Sequence, residues 1–478
     1  MSLSFPIPAP RAVCAAVLAL ALGGCAGFSQ DGGMDAVSAM TAERTGQDLR
    51  LPAAGGGDKA GEAVQAELAR LLKEPLGPDQ AVRVALLNNR SLRASLAGLG
   101  VAEADLVQAG RLANPGFGFS RMSGGGETDI ERSVMFDLAG LLTMPIRRDI
   151  EARRFEGAKL VAATAAVQLA ADTRKAYFDA VAARQSASYA QQVHEAAEAS
   201  GELARRMARV GHLSALDQAR EQAFSLEAAA GLARARHTAL AARERLARLL
   251  GVWGEHTGFI LPERLPELPA APREAGNIEA LAMQQRLDLR LAQLETSATA
   301  RALGLTRATG FVNVLEAGYA NTSKTGAPRE NGYEIELALP LFDWGGARVA
   351  KAEAIYMQAV HRTAGIAVNA RSQVRETYSA YRTSFDIARQ HRDQLVPLRK
   401  KISEEVLLRY NGMLVSVFEL LADARAQIAG VNAAIEAQRD FWIAETDLQA
   451  AISGAGGAPV ALGSAAPEQT VPPAGPQH

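Results

Sequence analysis

The sequence carries one pattern twice, and that duplication limits the possible folds more than any other feature. Arg93 in RSLRAS matches Arg290 in LDLRLA at an offset of 197, and Pro145 in LLTMPIRR matches Pro340 in ELALPLFD at 195. Tyr177 in RKAYFDA matches Tyr378 in RETYSAY, and Gly211 in ARVGHLS matches Gly412 in RYNGMLV, both at 201. Four pairs in the same order at nearly one offset describe a duplicated unit. A chain of 478 residues would ordinarily suggest about three globular domains, but the duplicated unit is too elongated for that division.

Each copy follows the same plan. A helical stretch comes first, from Asp79 to about Leu112 and from Asn277 to about Ala308; Pro78 and Asp79 give the first a helix-start signal. Two short alternating segments follow around a polar turn. They are GFGFSR and RSVMFDL in the first copy, FVNVLEAGYA and YEIELAL in the second. In the last of these, Tyr333, Ile335, Leu337 and Leu339 share one face, and Glu334, Glu336 and Ala338 share the other. That period of two is the strand period. Pro145 and Pro340 are expected to close the hairpins and hand the chain over to helix. From Pro145 to Gly211 run 66 residues, nearly all helix formers, enough for about 100 Å of helix. Glycine among polar residues is expected to turn that helix around at Gly211, and again at Gly412.

The expected organisation is a signal peptide at 1–24, a loose N-terminal segment at 25–60, and a first repeat at 61–255. The repeat has strands near 116–142 and a helical hairpin at 146–250. A Pro- and Gly-rich linker at 256–276 leads to a second repeat at 277–453, with strands near 311–340 and a hairpin at 346–453. A disordered tail occupies 454–478.

Both cysteines, Cys14 and Cys25, lie near the N-terminus, in or just after an apolar run from Ala12 to Leu22. About a dozen residues are too few for a membrane-spanning helix. A preceding Arg11, a short apolar core and small residues make a secretory signal. Its ending, Leu22-Gly23-Gly24-Cys25, resembles the lipobox of bacterial lipoproteins, whose cysteine is acylated and becomes the first mature residue. The alternative is an apolar first helix. In such lipoproteins an Asp after the cysteine commonly signals inner-membrane retention; Ala26 stands there instead, so the resemblance implies the outer membrane.

The formal net charge of −1 gives no footing for nucleic acid. The seven histidines are scattered, with no HExxH spacing, and no GxxxxGK[ST] occurs. No cofactor, metal or catalytic centre is expected.

If the alternating segments cross a membrane, their backbone must close into a barrel, and four strands cannot close one. Two copies would give eight strands, and three would give twelve and room for a water-filled lumen. Glu334 and Glu336 suit a wet, acidic lumen. The lipobox, the duplicated plan, PLFDWGG after the second hairpin and the RY near the second helix turn together resemble the TolC-type outer-membrane efflux protein family, over about Gln65 to Ser453. The resemblance implies a mainly α fold with a small membrane β-barrel part. It implies a homotrimer whose twelve-stranded barrel sits in outer-membrane lipid and continues as an α-helical barrel into the periplasm. It also implies an exit duct of a tripartite efflux or secretion system, with a periplasmic adaptor and an inner-membrane transporter as partners. By position, Asp217 and Glu419 resemble the family's acidic gate, while the second acid and the basic partner of some members fall at Ala422 and Val415. Gly211, His212, Leu213, Gly412, Met413 and Leu414 would form the tips that meet the adaptor. The alternative is a lipid-anchored periplasmic coiled coil without a pore.

Overall fold

A computed structural model describes residues 27–49, 57–274, 276–309, 314–337 and 343–456. Two short helices, α1 (Met34–Thr45) and α2 (Gly57–Lys73), precede the first repeat. That repeat comprises α3 (Pro78–Asn88), α4 (Arg90–Ala109), β1 (Gly116–Gly124), β2 (Glu127–Asp137), α5 (Leu138–Arg209) and α6 (Ala215–Leu250). The second comprises α7 (Ile278–Gln285), α8 (Leu287–Ala308), β3 (Leu315–Lys324), β4 (Glu330–Leu337), α9 (Gly346–Gln390), a π turn at His391–Leu395, α10 (Val396–Asn411) and α11 (Val417–Ser453). The order of elements is the same twice, so the duplication is one of structure as well as of sequence.

The strands form one antiparallel sheet in the order β1-β2-β3-β4. The two hairpins therefore join through β2 and β3, which belong to different repeats. At the turn of the first hairpin, Gly125 and Gly126 both have positive φ (62° and 91°), the conformation a two-residue turn needs to follow the strand twist.

Each repeat's first helix is broken at one equivalent residue, and each break holds the end of that repeat's returning helix. In the first, Asn89 caps α4 by accepting from Leu92 N–H (3.0 Å). Its amide donates to Leu249 O (2.9 Å), while Asn88 donates to Gly251 O (2.7 Å). In the second, Arg286 donates to Ala451 O (2.6 Å) and pairs with Asp288 (2.7 Å). Both returning helices end in a left-handed glycine, Gly251 (φ 68°) and Gly454 (φ 76°). A Cβ at Gly251 would stand 2.9 Å from Asn88 O, so the close approach requires glycine in addition to the turn.

The aromatic core joins the repeats. Phe178 stacks on Trp442 at 5.4 Å, Trp442 meets Phe441 at 5.1 Å, and Phe441 meets Tyr381 and Phe385 at 5.6 and 5.7 Å. Burial raises the Tyr177 phenol to about 12. On α5, Ala162, Ala163, Ala166 and Ala170 are buried, which lets neighbouring helices approach closely.

Three expectations need correction. Pro145 does not close the first hairpin: β2 ends at Asp137, whose carboxylate caps α5 by accepting from Gly140 N–H (2.6 Å), and Pro145 lies inside the helix. Capping starts the helix earlier than the proline does, and Pro340 lies outside the described residues. The segment after residue 26 is not loose. Helix α1 buries Val37, Thr41 and Thr45; Ser29 N–H and Oγ donate to Glu103 (2.5 Å each), and Arg44 donates to Gln285 O (2.8 Å). The linker is not merely a spacer either. Phe259, Leu261, Leu265 and Leu268 are buried, and Arg243 holds the carbonyls of Thr257 and Phe259 at 2.7 and 2.6 Å. Cys25 and the tail from residue 457 lie outside the described residues.

Candidate functional site: a two-faced sheet and two helical tips

Strand register decides which side chains share a face, because paired residues point the same way. Phe117, Val134, Tyr319 and Tyr333 form one row across all four strands. Phe136, Ala317 and Ile335 form the next row on that face, followed by Leu315 and Leu337. Tyr333 is 91% exposed and Ile335 73%, so none of the described residues covers them. Toward the turns the face becomes polar: Arg132 donates to Asn321 (3.2 Å), and Asn321 to Asn331 (2.7 Å). Where the sheet meets α5, the exposed Leu141, Leu142 and Ile146 extend the apolar region.

The other face is small and acidic. Gly118, Ser133, Ala320 and Gly332 make one row, and Gly116, Met135, Gly318 and Glu334 the next. Closest to the helices, Asp137, Glu316 and Glu336 stand opposite one another on three strands. Like charges placed directly across strands are destabilising, so this row is costly unless it faces water or cations. The sequence singled out Glu334 and Glu336. It missed Asp137 and Glu316, although Glu316 lies in the alternating run LEAGYANT, because only the register between repeats puts them in the row.

At the far ends of the long helices, the two turns have the same geometry. His212 N–H donates to Met207 O and Leu414 N–H to Arg409 O, both at 2.9 Å. The left-handed residue is Gly211 (φ 79°) in one and Met413 (φ 59°) in the other. The counterpart of Gly211 is therefore Met413, one residue beyond the Gly412 that sequence matching selects. Gly412 has an ordinary φ of −81°. Met413 and Leu414 are highly exposed, and so is Val210.

Asp217 and Glu419 are equivalent residues with a local role. Each is the third residue of its helix, behind a serine cap: Ser214 Oγ accepts from Asp217 N–H (3.1 Å) and Ser416 Oγ from Glu419 N–H (3.4 Å). An acid there favours the helix N-terminus. Asp217 also pairs with Arg220 (3.2 Å), whose guanidinium lies 5.4 Å from the Phe418 ring of the other tip. Arg425 pairs with Glu227 at 2.9 Å. These contacts tie the two hairpins side by side.

Higher up, residues of α5, α6 and α11 line a groove of about 950 Å³ in which alanines alternate with charged side chains such as Asp179, Arg245 and Arg439. In it, burial pushes the Asp179 carboxyl above its usual range, opposed by Arg439 and Arg245, each 3.8 Å away. Among the described residues, no helix is long and apolar enough to cross a membrane, and no group of three or more His, Cys, Asp or Glu could hold a metal ion.

Solved structures share this arrangement of sheet and paired long hairpins. The Campylobacter jejuni CmeC outer membrane channel has a TM-score of 0.70 at 16% identity, covering 79% of this chain and 86% of that one. The chain has the TolC-type outer-membrane channel fold. A membrane protein from Pseudomonas aeruginosa (TM-score 0.68, 21% identity, 81% of this chain and 93% of that one) shares the TolC-type fold. So does the open state of the Neisseria gonorrhoeae MtrE outer membrane channel (TM-score 0.66, 19% identity, 81% and 89%). No family model matches the sequence, and neither does any curated protein.

Proposed function

We propose that the chain is the outer-membrane exit duct of a tripartite efflux or secretion system, passing small toxic compounds or metal ions from the periplasm to the outside. The observation that carries this reading is a four-stranded sheet with an apolar face, an acidic face and two edges, β1 and β4, each paired on one side only among the described residues. Hydrocarbon leaves no strand edge unsatisfied. Three copies, with β4 of each pairing to β1 of the next, close twelve strands around the acidic face and turn the aromatic face to lipid. The long hairpins continue the lumen into the periplasm. A pore-free coiled coil has no use for such a sheet.

In this reading Asp217 and Glu419 ring the narrow periplasmic end, and the exposed residues around Gly211, His212, Leu213, Gly412, Met413 and Leu414 meet a periplasmic adaptor that links the duct to an inner-membrane transporter. Cys25 is the acylated first residue. Ser29 is held at Glu103, and four residues span at most about 14 Å, so the lipid would enter the membrane beside the base of the sheet. The protein is then both anchored in and threaded through the outer membrane. The mass of the protein extracted in detergent tests this: three lipid-modified chains are expected. A monomer, or a chain retaining Cys14, contradicts it.

A further inference from the structure

The strands sort their charges by face. All eight acids of the four strands, Glu131, Glu316 and Glu336 among them, stand on the acidic face. The face that carries Phe117, Tyr319 and Tyr333 has no acid, and its two charged residues are Arg121 on β1 and Arg132 on β2. Register makes these two diagonal neighbours, since Arg121 pairs with Ile130 and Arg132 with Phe119. Such positions lie about 7–8 Å apart, within reach of long side chains. We propose that Arg121 and Arg132 together bind the phosphate groups of a phosphorylated glycolipid in the outer leaflet of the membrane.

The site rests on the duct reading, which turns this face to lipid and the hairpin turns to the outside. Its depth follows from strand geometry. Leu315 and Leu337 make the row of the apolar face nearest the helices, and the row of Phe119, Arg132, Asn321 and Asn331 lies six residues further out. Six residues span about 20 Å along a strand, or about 15 Å of height at the tilt of barrel strands. On the other side of Leu315 and Leu337, the exposed Leu142 and Ile146 continue the apolar surface along α5. They add about 12 Å at the rise of an α-helix. Together these stretches match the apolar band of a membrane barrel, about 25 Å tall. Arg132 therefore stands at the outer border of the hydrocarbon, and Arg121 one row beyond it. An arginine is tolerated at that depth and costly at the midplane.

Neither guanidinium is neutralised by the protein. Among the described residues no carboxylate pairs with Arg121 or Arg132, and Arg132 donates to a neutral amide, Asn321 (3.2 Å), which donates in turn to Asn331 (2.7 Å). This chain of amides orients Arg132 without cancelling its charge. The remaining basic residue of the strands, Lys324, lies on the opposite face, 4.0 Å from Asp129. Two like charges on neighbouring strands repel, and an anion between them reverses that cost. The guanidinium fork matches phosphate oxygens and holds them through charge-assisted hydrogen bonds. Beyond the arginines, the hydroxyls of Ser123 and Thr128 stand 3.4 Å apart, suited to a sugar headgroup. On the membrane side, Phe117 and Phe119 are exposed along β1, where acyl chains would lie. Free phosphate has no acyl chains to cover these rings, so the surface fits a phosphate carried on lipid.

Native mass spectrometry of the full-length protein in detergent tests the site, with bisphosphorylated lipid A and the same lipid stripped of both phosphates as probes. The unmodified protein is expected to hold the phosphorylated lipid about tenfold more tightly or better. Arg121→Gln with Arg132→Gln should abolish that preference, and Lys324→Gln, on the other face, should leave it intact. Equal binding of the two lipids by the unmodified protein overturns the proposal, and this comparison needs no variant, so it decides should the double variant fail to assemble. A preference that survives the double variant, or one lost equally in Lys324→Gln, overturns it as well. Displacement of the lipid by millimolar inorganic phosphate at constant ionic strength would assign the site to free phosphate and overturn the lipid assignment. A protein that forms no membrane oligomer removes the duct reading and the site together, whereas an oligomer that assembles and ignores the phosphates removes the site alone.

Discussion

Replacing Arg286 with Met tests what holds the two ends of the second repeat together. Arg286 is 2% exposed, one of the largest fully buried side chains in the molecule. It makes two bonds to Asp288 (3.0 and 2.7 Å), one to Ala451 O (2.6 Å) and one to Gln373 (3.1 Å). Methionine fills similar space but leaves Asp288, whose side chain is 15% exposed, without its partner and the end of α11 without its cap. Breaking a buried pair from one side costs about 3–5 kcal/mol. Adding Asp288→Leu removes the stranded charge, so the double variant is expected to recover most of that loss. The first repeat performs the same task with neutral amides, and Asn89→Ala should cost only about 1–2 kcal/mol. Urea unfolding of the detergent-solubilised protein, followed by its helical circular dichroism, gives all three values. A loss below about 1 kcal/mol for Arg286→Met, or a double variant less stable than the single, refutes the reasoning.

Other predictions concern strand, turn and groove. Ile335→Arg should cost roughly 2–4 kcal/mol of assembled protein and Glu336→Arg much less, read as the yield of oligomer in membranes; equal losses would mean β4 has no lipid face. Met413→Gly should stabilise by about 1 kcal/mol or less and Gly211→Ala destabilise by about 1 kcal/mol, measured as thermal midpoints; the same sign for both contradicts the one-residue shift between the turns. For Asp179 the folded state holds its proton more tightly than the unfolded chain. Stability from this group is therefore present at low pH and falls as pH rises through the unfolded value of about 3.9 to the higher folded one. Asp179→Asn should flatten that fall and slightly stabilise the protein at neutral pH, by under about 1 kcal/mol; destabilisation at neutral pH would show that Arg245 and Arg439 outweigh burial.

Patterns carried by consecutive residues were legible in the sequence. The run YEIEL alternates visibly, and β4 covers it; the stretches between Tyr177 and Gly211 and between Tyr378 and Gly412 contain no strong helix breaker except Pro397. Pairings between distant segments were not legible. The row of Asp137, Glu316 and Glu336 exists only because β2 pairs with β3 across nearly two hundred residues. The single residue by which Gly412 misses the turn is hidden by a glycine standing next to the true position. Helix α1 escaped because its buried side chains include Thr41 and Thr45, whose hydroxyls donate to carbonyls one turn back (2.8 Å each). Polar residues of that kind read as surface in sequence. Asp217 and Glu419 were singled out by position alone; their local capping role needs the serine three residues earlier to be read with them.

Single-channel recording of the purified protein in planar bilayers tests the central claim most directly. A water-filled pore with carboxylates facing its lumen is expected to conduct and to prefer cations. Glu316→Gln with Glu336→Gln should lower that preference while leaving assembly intact, and Asp217→Asn with Glu419→Gln should lower it at the periplasmic end. Discrete, cation-selective channels that respond to these substitutions are the predicted result; an oligomer that inserts but carries no current would contradict the account.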